Sequence, residues 1–362
     1  MAMTYSPLRF LPQVFLKSFR GRPLHLTFFV TRRCNADCPF CFYSGGDAAS
    51  AREEMTLEEV ERLAPTVGRL LWLAFSGGEI FLRKDIVDLS RVFYRENRPS
   101  IMLLPTNGLM PGLIRDRVVE VLESCPGSVV VVKLSMDGVG PRHDALRGVR
   151  GAFEKVLECY DGLKELIPRY PNFELGVNTV FCSENQDEMD GIIDYVRGLG
   201  AVRTHTISLV RGDARDGALK DVDLEKYMRA VRRLEGDVAR RTYRFRGARL
   251  KAAQDNLQRR LIYRTAREGR RFVTCYAGRL NLVLTETGDV FPCESFRKDH
   301  LMGNVRDFGY EMGRLLEGER ARRVVDLVRK GCFCSHECYM MTNILFSPST
   351  YPSLLGEILK NG

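Results

Sequence analysis

Cys34-Asn35-Ala36-Asp37-Cys38-Pro39-Phe40-Cys41 carries three cysteines in the spacing C-x3-C-x2-C and follows directly on a strand-like run, Leu24-His25-Leu26-Thr27-Phe28-Phe29-Val30. No fourth cysteine stands nearby in the chain. Three thiolates can hold three irons of a 4Fe–4S cluster and leave the fourth iron open for a small molecule to chelate. Structural zinc is the competing reading, because closely spaced cysteines often bind it. A zinc site of that kind takes a fourth tetrahedral ligand, and its usual mark is two cysteine pairs. Ligand count therefore favours the open cluster.

Outward from this segment, residues 24–210 alternate six times between apolar strand-like runs and amphipathic helical stretches. The strands are expected at 24–30, 72–75, 100–104, 129–135, 173–181 and 202–209. One helix is expected to open at a Thr56-x-x-Glu59 capping box. Another carries Ile86, Leu89, Val92 and Phe93 on one face. Such alternation predicts an α/β fold with a parallel sheet, here an incomplete form of the eight-unit barrel.

In parallel barrels the chemistry gathers where the strands end, and the polar motifs fall there. The cysteine triplet follows strand one, Ser76-Gly77-Gly78-Glu79 strand two and Thr106-Asn107-Gly108 strand three. Ser135-Met136-Asp137-Gly138 ends strand four, Asn178 and Thr179 lie late in strand five, and Arg211-Gly212-Asp213 follows strand six. Singly each is an ordinary turn signal. Together they describe one rim.

The C-x3-C-x2-C spacing, with the aromatic Phe40 before the last cysteine, resembles the signature of the radical S-adenosylmethionine (SAM) enzymes, and Gly77-Gly78-Glu79 resembles their GGE motif. The resemblance implies a partial (β/α)6 TIM-like barrel. It implies that Cys34, Cys38 and Cys41 ligate a 4Fe–4S cluster whose open iron binds the amino and carboxylate groups of SAM. Cleavage of SAM by one electron then gives methionine and a 5′-deoxyadenosyl radical, which takes hydrogen from an unactivated C–H bond. Gly77 and Gly78 would let the backbone approach the methionine end of SAM, and Glu79 would accept from its ammonium. Thr106, Asn107 and Arg211 belong to the same cofactor-binding rim. Ser135, Asp137 and Asn178 resemble the residues that hold the ribose and carboxylate, and Phe40 and the backbone near Leu209 to Arg211 would lie along the adenine. A Ser or Asn at a strand end is equally a cap or turn former. Arg147 either reaches SAM or substrate or braces its own loop.

A second cysteine set lies towards the C-terminus. Cys275 and Cys293 flank an expected hairpin, Leu280 to Leu284 and Val290 to Pro292, turning at Thr287-Gly288-Asp289. Cys332-Phe333-Cys334-Ser335-His336-Glu337-Cys338 follows about forty residues later. This arrangement resembles the SPASM/twitch extension, which binds auxiliary 4Fe–4S clusters. Five cysteines suffice for one cluster with one spare, which favours the shorter twitch form. Only one residue separates Cys332 from Cys334, a departure from the expected pairing. Cys275, Cys293 and Cys338 are therefore preferred ligands, with Cys334 ahead of Cys332 and His336 a further candidate. Structural zinc is again the alternative.

Five segments are expected: an N-terminal amphipathic segment (1–23), the barrel (24–215), a basic helical connector (216–274), a small cysteine-rich twitch/SPASM-like domain (275–345) and an apolar C-terminal tail (346–362). The 44% hydrophobic and 28% charged composition of the 362 residues is that of a globular protein. Pro7, Arg9, Pro12, Lys17 and Arg20 break up any signal-peptide core, and no apolar run could cross a bilayer. The eleven cysteines are thus expected to be reduced thiols in the cytoplasm, with Cys125, Cys159 and Cys182 as small buried hydrophobes.

The net charge of +9 is concentrated between Lys226 and Arg271, where sixteen Lys and Arg face four Asp and Glu. Together with the basic, apolar stretch 5–22 and the apolar run Ile344–Leu359, it hints at peripheral contact with an anionic membrane. The alternative has both ends packed on the barrel and the basic helix against the protein's own acidic surface. A non-enzymatic iron–sulfur carrier would have no use for a SAM-contacting rim, so the resemblance implies an enzyme. Its expected partners are a low-potential electron donor (flavodoxin or ferredoxin) and a ribosomal peptide or small-metabolite substrate, with a lipid as the alternative; nucleic acid is not expected. The reaction would be an oxidation, a cross-link or the formation of a new carbon bond.

Overall fold

The computed structural model describes residues 22–43, 54–238 and 248–360. The N-terminal amphipathic segment lies outside these residues except for Arg22 and Pro23. Six strands, β1 (His25–Thr31), β2 (Trp72–Gly77), β3 (Ile101–Thr106), β4 (Val129–Ser135), β5 (Phe173–Phe181) and β6 (Thr204–Leu209), pair side by side in chain order, every one parallel to its neighbour. Helices α1 (Leu57–Val67), α2 (Ile86–Asn97), α3 (Pro111–Ser124), α4 (Pro141–Arg147), α5 (Ala152–Lys164) and α6 (Met189–Gly198) fill the connections. All seven residues of β1 are buried, as a strand covered on both faces must be. Helix α1 opens on the expected capping box: the Thr56 hydroxyl accepts from the Glu59 amide at 3.2 Å, and the Glu59 carboxylate accepts from the Thr56 amide at 2.8 Å. Ile86, Leu89, Val92 and Phe93 are the buried stripe of α2.

The expected hairpin forms as β7 (Asn281–Leu284) and β8 (Asp289–Phe291), with a short β9 (Gly303–Asn304) beyond. It is continuous with the barrel: β7 runs parallel to β1, His25 opposite Asn281 through Phe28 opposite Leu284, so one nine-stranded sheet carries both cysteine sets.

The remaining helices are α7 (Leu224–Val238), α8 (Ala248–Glu268), α9 (Met312–Glu317), α10 (Glu319–Gly331), α11 (Glu337–Phe346) and α12 (Tyr351–Lys360). Helices α8 and α11 pack on each other and line the lumen that six strands leave open. Tyr339 of α11 stacks on His25 of β1 at 5.7 Å, while Glu337 accepts from Ser208 of β6. Leu24, Leu71, Ile101 and Val129 meet Met341, Leu345 and Phe346 in a separate apolar cluster that closes the N-terminal ends of the strands.

Several described basic residues of the connector pair with the protein's own acids. Lys226 pairs with Asp187, Arg233 with Asp190 and Asp194, and Arg260 with Glu235 and Glu357. The tail forms α12, which packs on α8 through Leu354 and leaves Leu355 and Leu359 59% and 81% exposed. Among the described residues no helix is long and apolar enough to cross a membrane.

Two glycines hold the cysteine loop to this frame. A methyl group on Gly78 would stand 2.1 Å from the Arg33 carbonyl oxygen, and one on Gly148 (φ +65°) would stand 2.6 Å from the Asp37 carbonyl oxygen. Gly78→Ala should therefore destabilise the protein by about 1–3 kcal/mol, the usual cost of overpacking. Gly112→Ala, in α3 with nothing within 4 Å of the added carbon, should be neutral or mildly stabilising. Denaturant unfolding of the two variants side by side checks this; equal stabilities would mean that the loop is not held by this contact.

Candidate active site

A cavity of about 450 Å³ opens at the C-terminal ends of the barrel strands and continues down the lumen. Cys34, Cys38 and Cys41 line its mouth. Their loop is drawn in by backbone: the Asp37 amide donates to the Arg147 carbonyl at 2.9 Å, and the Cys41 amide to the Cys38 carbonyl at 3.1 Å. Burial pushes the Cys34 and Cys38 thiols up, and the Arg147 guanidinium pulls Cys38 back towards ionisation from 3.6 Å away. Among the described residues no three His, Cys, Asp or Glu groups converge tightly enough to hold a single metal ion. Three separated thiols on one cavity wall, with a cation beside them, fit the anionic thiolate face of a multi-iron cluster.

Glu79 sits directly across from this loop. Its carboxylate accepts from the Thr106 hydroxyl at 2.9 Å, the Asn107 amide at 2.7 Å and the Phe81 amide at 3.2 Å. Burial outweighs these bonds and holds its pKa up at about 7. A buried carboxylate in that state is stabilised by any cation brought to it. Asn107 also reaches back with its side-chain amide to Asn35 at 2.8 Å and to the Cys34 sulfur at 3.8 Å. Gly77 and Gly78 line the cavity, and their missing side chains also make room for the backbone of Thr31 to Arg33.

Ser135 and Asn178, adjacent in the β4–β5 register, line the cavity, as do Phe40 and Arg211. Asn178 accepts from Ser208 at 3.0 Å. Asp137 does not line it. Wholly buried, it forms an ion pair with Arg147 and accepts from the Val180 amide at 2.7 Å, so its work is to brace the arginine. Arg147 is the residue that faces the cavity, with its guanidinium 5.4 Å over the Phe40 ring. Arg211 is engaged with Glu294 at 2.5 Å and lies over Phe42 at 5.3 Å.

The second cysteine set gathers at the far side of β1. Cys275, Cys293, Cys332 and Cys334 lie close enough for each thiol to feel the charge of others in the set, and burial pushes Cys293 up to about 11 and Cys334 up to about 12. Arg271 ties the end of α10 into place by donating to the carbonyls of Val328 at 2.8 Å and Arg329 at 2.9 Å. Cys338 begins α11. His336 is turned towards Glu294 and Arg211, and burial lowers its pKa to about 4, leaving a neutral ring. Donors of this type suit iron–sulfur ligation.

Sequence reading missed the residues that line the lower lumen, Lys133 on β4 and Lys251, Asp255 and Arg259 on α8. One of them carried a signal: Lys133 interrupts the run Val129-Val130-Val131-Val132 at an inward position.

Residues 28–196 match the model of the Radical SAM superfamily. The chain is 26% identical over 291 residues to an AdoMet-dependent heme synthase of Methanosarcina barkeri, covering 77% of this chain and 78% of that protein. It is also 26% identical to the antilisterial bacteriocin subtilosin biosynthesis protein AlbA of Bacillus subtilis, covering 80% of this chain and 59% of AlbA. In fold it resembles Streptococcus suis SuiB bound to S-adenosylmethionine, with a TM-score of 0.61 at 16% identity over 89% of this chain and 71% of SuiB. The three cysteines and Glu79, around one barrel mouth, all lie in the segment 28–196 that matches the radical SAM superfamily.

Proposed function

We propose that the protein uses SAM at Cys34, Cys38, Cys41 and Glu79 to activate a C–H bond of a ribosomal peptide or small metabolite, with an auxiliary 4Fe–4S cluster in the C-terminal cysteine set. The observation that carries this reading is the shared cavity: the cysteine loop and Glu79 form its mouth, and the lumen below is deep enough for a second molecule. When bound, an open-iron 4Fe–4S cluster supplies the electron that cleaves SAM to methionine and the 5′-deoxyadenosyl radical that removes hydrogen from the substrate. Glu79 accepts from the amino group of SAM, Ser135 and Asn178 offer hydroxyl and amide groups to its polar parts, and Arg147 keeps positive charge beside the Cys38 thiolate. Helices α8 and α11 keep water from the side of the barrel, which protects a reactive intermediate. Relatives named for bacteriocin and PqqA peptide maturation, and others named for heme synthesis, support a peptide or a small metabolite as substrate. A low-potential flavodoxin or ferredoxin is the proposed electron donor.

Anaerobically reconstituted protein should hold about eight irons per chain, two four-iron clusters. Replacing Cys34, Cys38 and Cys41 together with Ala should remove about four of them and abolish formation of 5′-deoxyadenosine from SAM. Replacing Cys275 and Cys293 should remove the other four or so and spare that reaction when no substrate is present. Stoichiometric zinc, or SAM cleavage by the triple variant, would refute the reading.

Glu79 predicts a pH dependence. Its folded pKa is raised to about 7, so SAM must displace a proton below that pH to obtain a carboxylate partner. Affinity for SAM should rise about tenfold per pH unit below 7 and level off above it. Glu79→Gln should bind SAM weakly, with no such slope and an unchanged iron content. Equilibrium binding between pH 6 and 8.5 tests this, and a parallel slope in the variant would sink the assignment.

A further inference from the structure

Beneath the SAM-binding mouth the cavity becomes a polar chamber, lined by Lys133, Lys251 and Arg259 and by Glu174, Asp255 and Glu337. Lys133 reaches into it from β4, two residues below Ser135 and therefore about 7 Å further down the strand. Its ammonium donates only to neutral oxygens: the Thr204 hydroxyl at 2.6 Å, the Thr206 hydroxyl at 3.0 Å and the Thr204 carbonyl at 3.3 Å. Arg259 of α8 lines the same chamber. Of its five N–H donors, two make long bonds, to the His205 carbonyl at 3.3 Å and to Asn256 at 3.4 Å. Among the described residues neither cation has a carboxylate ion-pair partner.

Two of these acids are otherwise engaged. Asp255 is paired with Lys251, one turn away on α8. Glu337 accepts from Ser208, and burial raises its pKa, which favours the neutral acid. The crowding shows on Lys133, where burial first and the charge of Lys251 second lower the pKa to about 7. Desolvated cations without a partner are costly, and an anion arriving between them would remove that cost.

Resting on the radical SAM reading above, we infer that this lower chamber is a subsite for a carboxylate group of the substrate, held between the Lys133 ammonium and the Arg259 guanidinium. The planar fork of Arg259 suits the two oxygens of a carboxylate. The depth of the chamber leaves the rest of such a substrate extending upward, towards the cysteine loop. The carboxylate could belong to a free acid or to an acidic side chain of a peptide; the chemistry of the subsite is the same.

The test measures binding to the anaerobically reconstituted, SAM-loaded full chain by titration calorimetry with two matched pairs of probes. One pair is glutarate and glutaramide. The other is acetyl-Ala-Glu-Ala-amide and acetyl-Ala-Gln-Ala-amide. The acid of at least one pair should bind at least about tenfold more tightly than its amide, as charge-assisted hydrogen bonds require. A preference confined to glutarate assigns a free acid, and one in the peptide pair assigns a side chain. Lys133→Gln and Arg259→Gln should each reduce the preference about tenfold, and the double variant should lose it; the single variants decide the matter if the double does not fold. No preference for either acid in the wild-type protein, or a preference that survives both substitutions, overturns the subsite. Substrate-free formation of 5′-deoxyadenosine, followed in the same samples, tests the SAM site separately. Its failure with the acid preference intact would count against the radical SAM reading alone.

Discussion

The site depends on one close backbone approach. The end of β2 lies so near the chain leaving β1 that Gly77 and Gly78 have no room for a side chain, and the Gly78 and Glu79 amides donate to the Thr31 and Arg33 carbonyls at 2.8 and 2.9 Å. That contact fixes where the cysteine loop starts and, one residue on, aims Glu79 into the cavity. Gly148 repeats the arrangement from the other side, where Arg147 and Asp37 meet backbone to backbone. A loop held at both ends by main chain keeps its thiols in place without relying on flexible side chains. Asp137 completes the scheme by spending its charge on Arg147 rather than on a ligand.

The two cysteine sets share more than a sheet. Phe42 and Tyr43 follow Cys41 directly, and they pack with Phe29 and Phe291 around Phe296, three residues beyond Cys293. Glu294, next to Cys293, holds Arg211 at the end of β6. Burial works against its ionisation, but Arg211 keeps the Glu294 carboxyl below its ordinary range. Any displacement of the hairpin is thus felt at the loop that carries Cys41, through an aromatic cluster and a buried ion pair. Packed interiors of this kind transmit strain because they have little free volume to absorb it.

The parts of the molecule legible in the chain were those written in local pattern. Six apolar runs placed the parallel strands, because strands covered on both faces need continuous hydrophobicity. The capping box at Thr56 and Glu59 and the stripe on α2 were likewise local. The cysteine spacing and the GGE turn mark the rim in the same local way. Strand ends were less clear: β2 and β3 continue through Ser76-Gly77 and Pro105-Thr106, polar or ring-closed residues that hydropathy does not assign to strands.

What the sequence could not contain was the partner of each side chain. Asp137 and Arg147, ten residues apart, were both read as able to face SAM; the turn after β4 buries one and presents the other. The basic stretch from Lys226 to Arg271 reads as an outward face, but folding sets its arginines against Asp190 and Asp194, Glu357 and its own Glu235. Arg259 of that stretch lines the barrel cavity, as does Lys133, more than a hundred residues earlier. Hydrophobic period and ligand spacing are properties of neighbours along the chain, so the sequence by itself determined the barrel and its cysteine rim. Charge pairing and burial depend on distances across the fold, and only the tertiary structure decided which charges are neutralised and which are left facing the cavity.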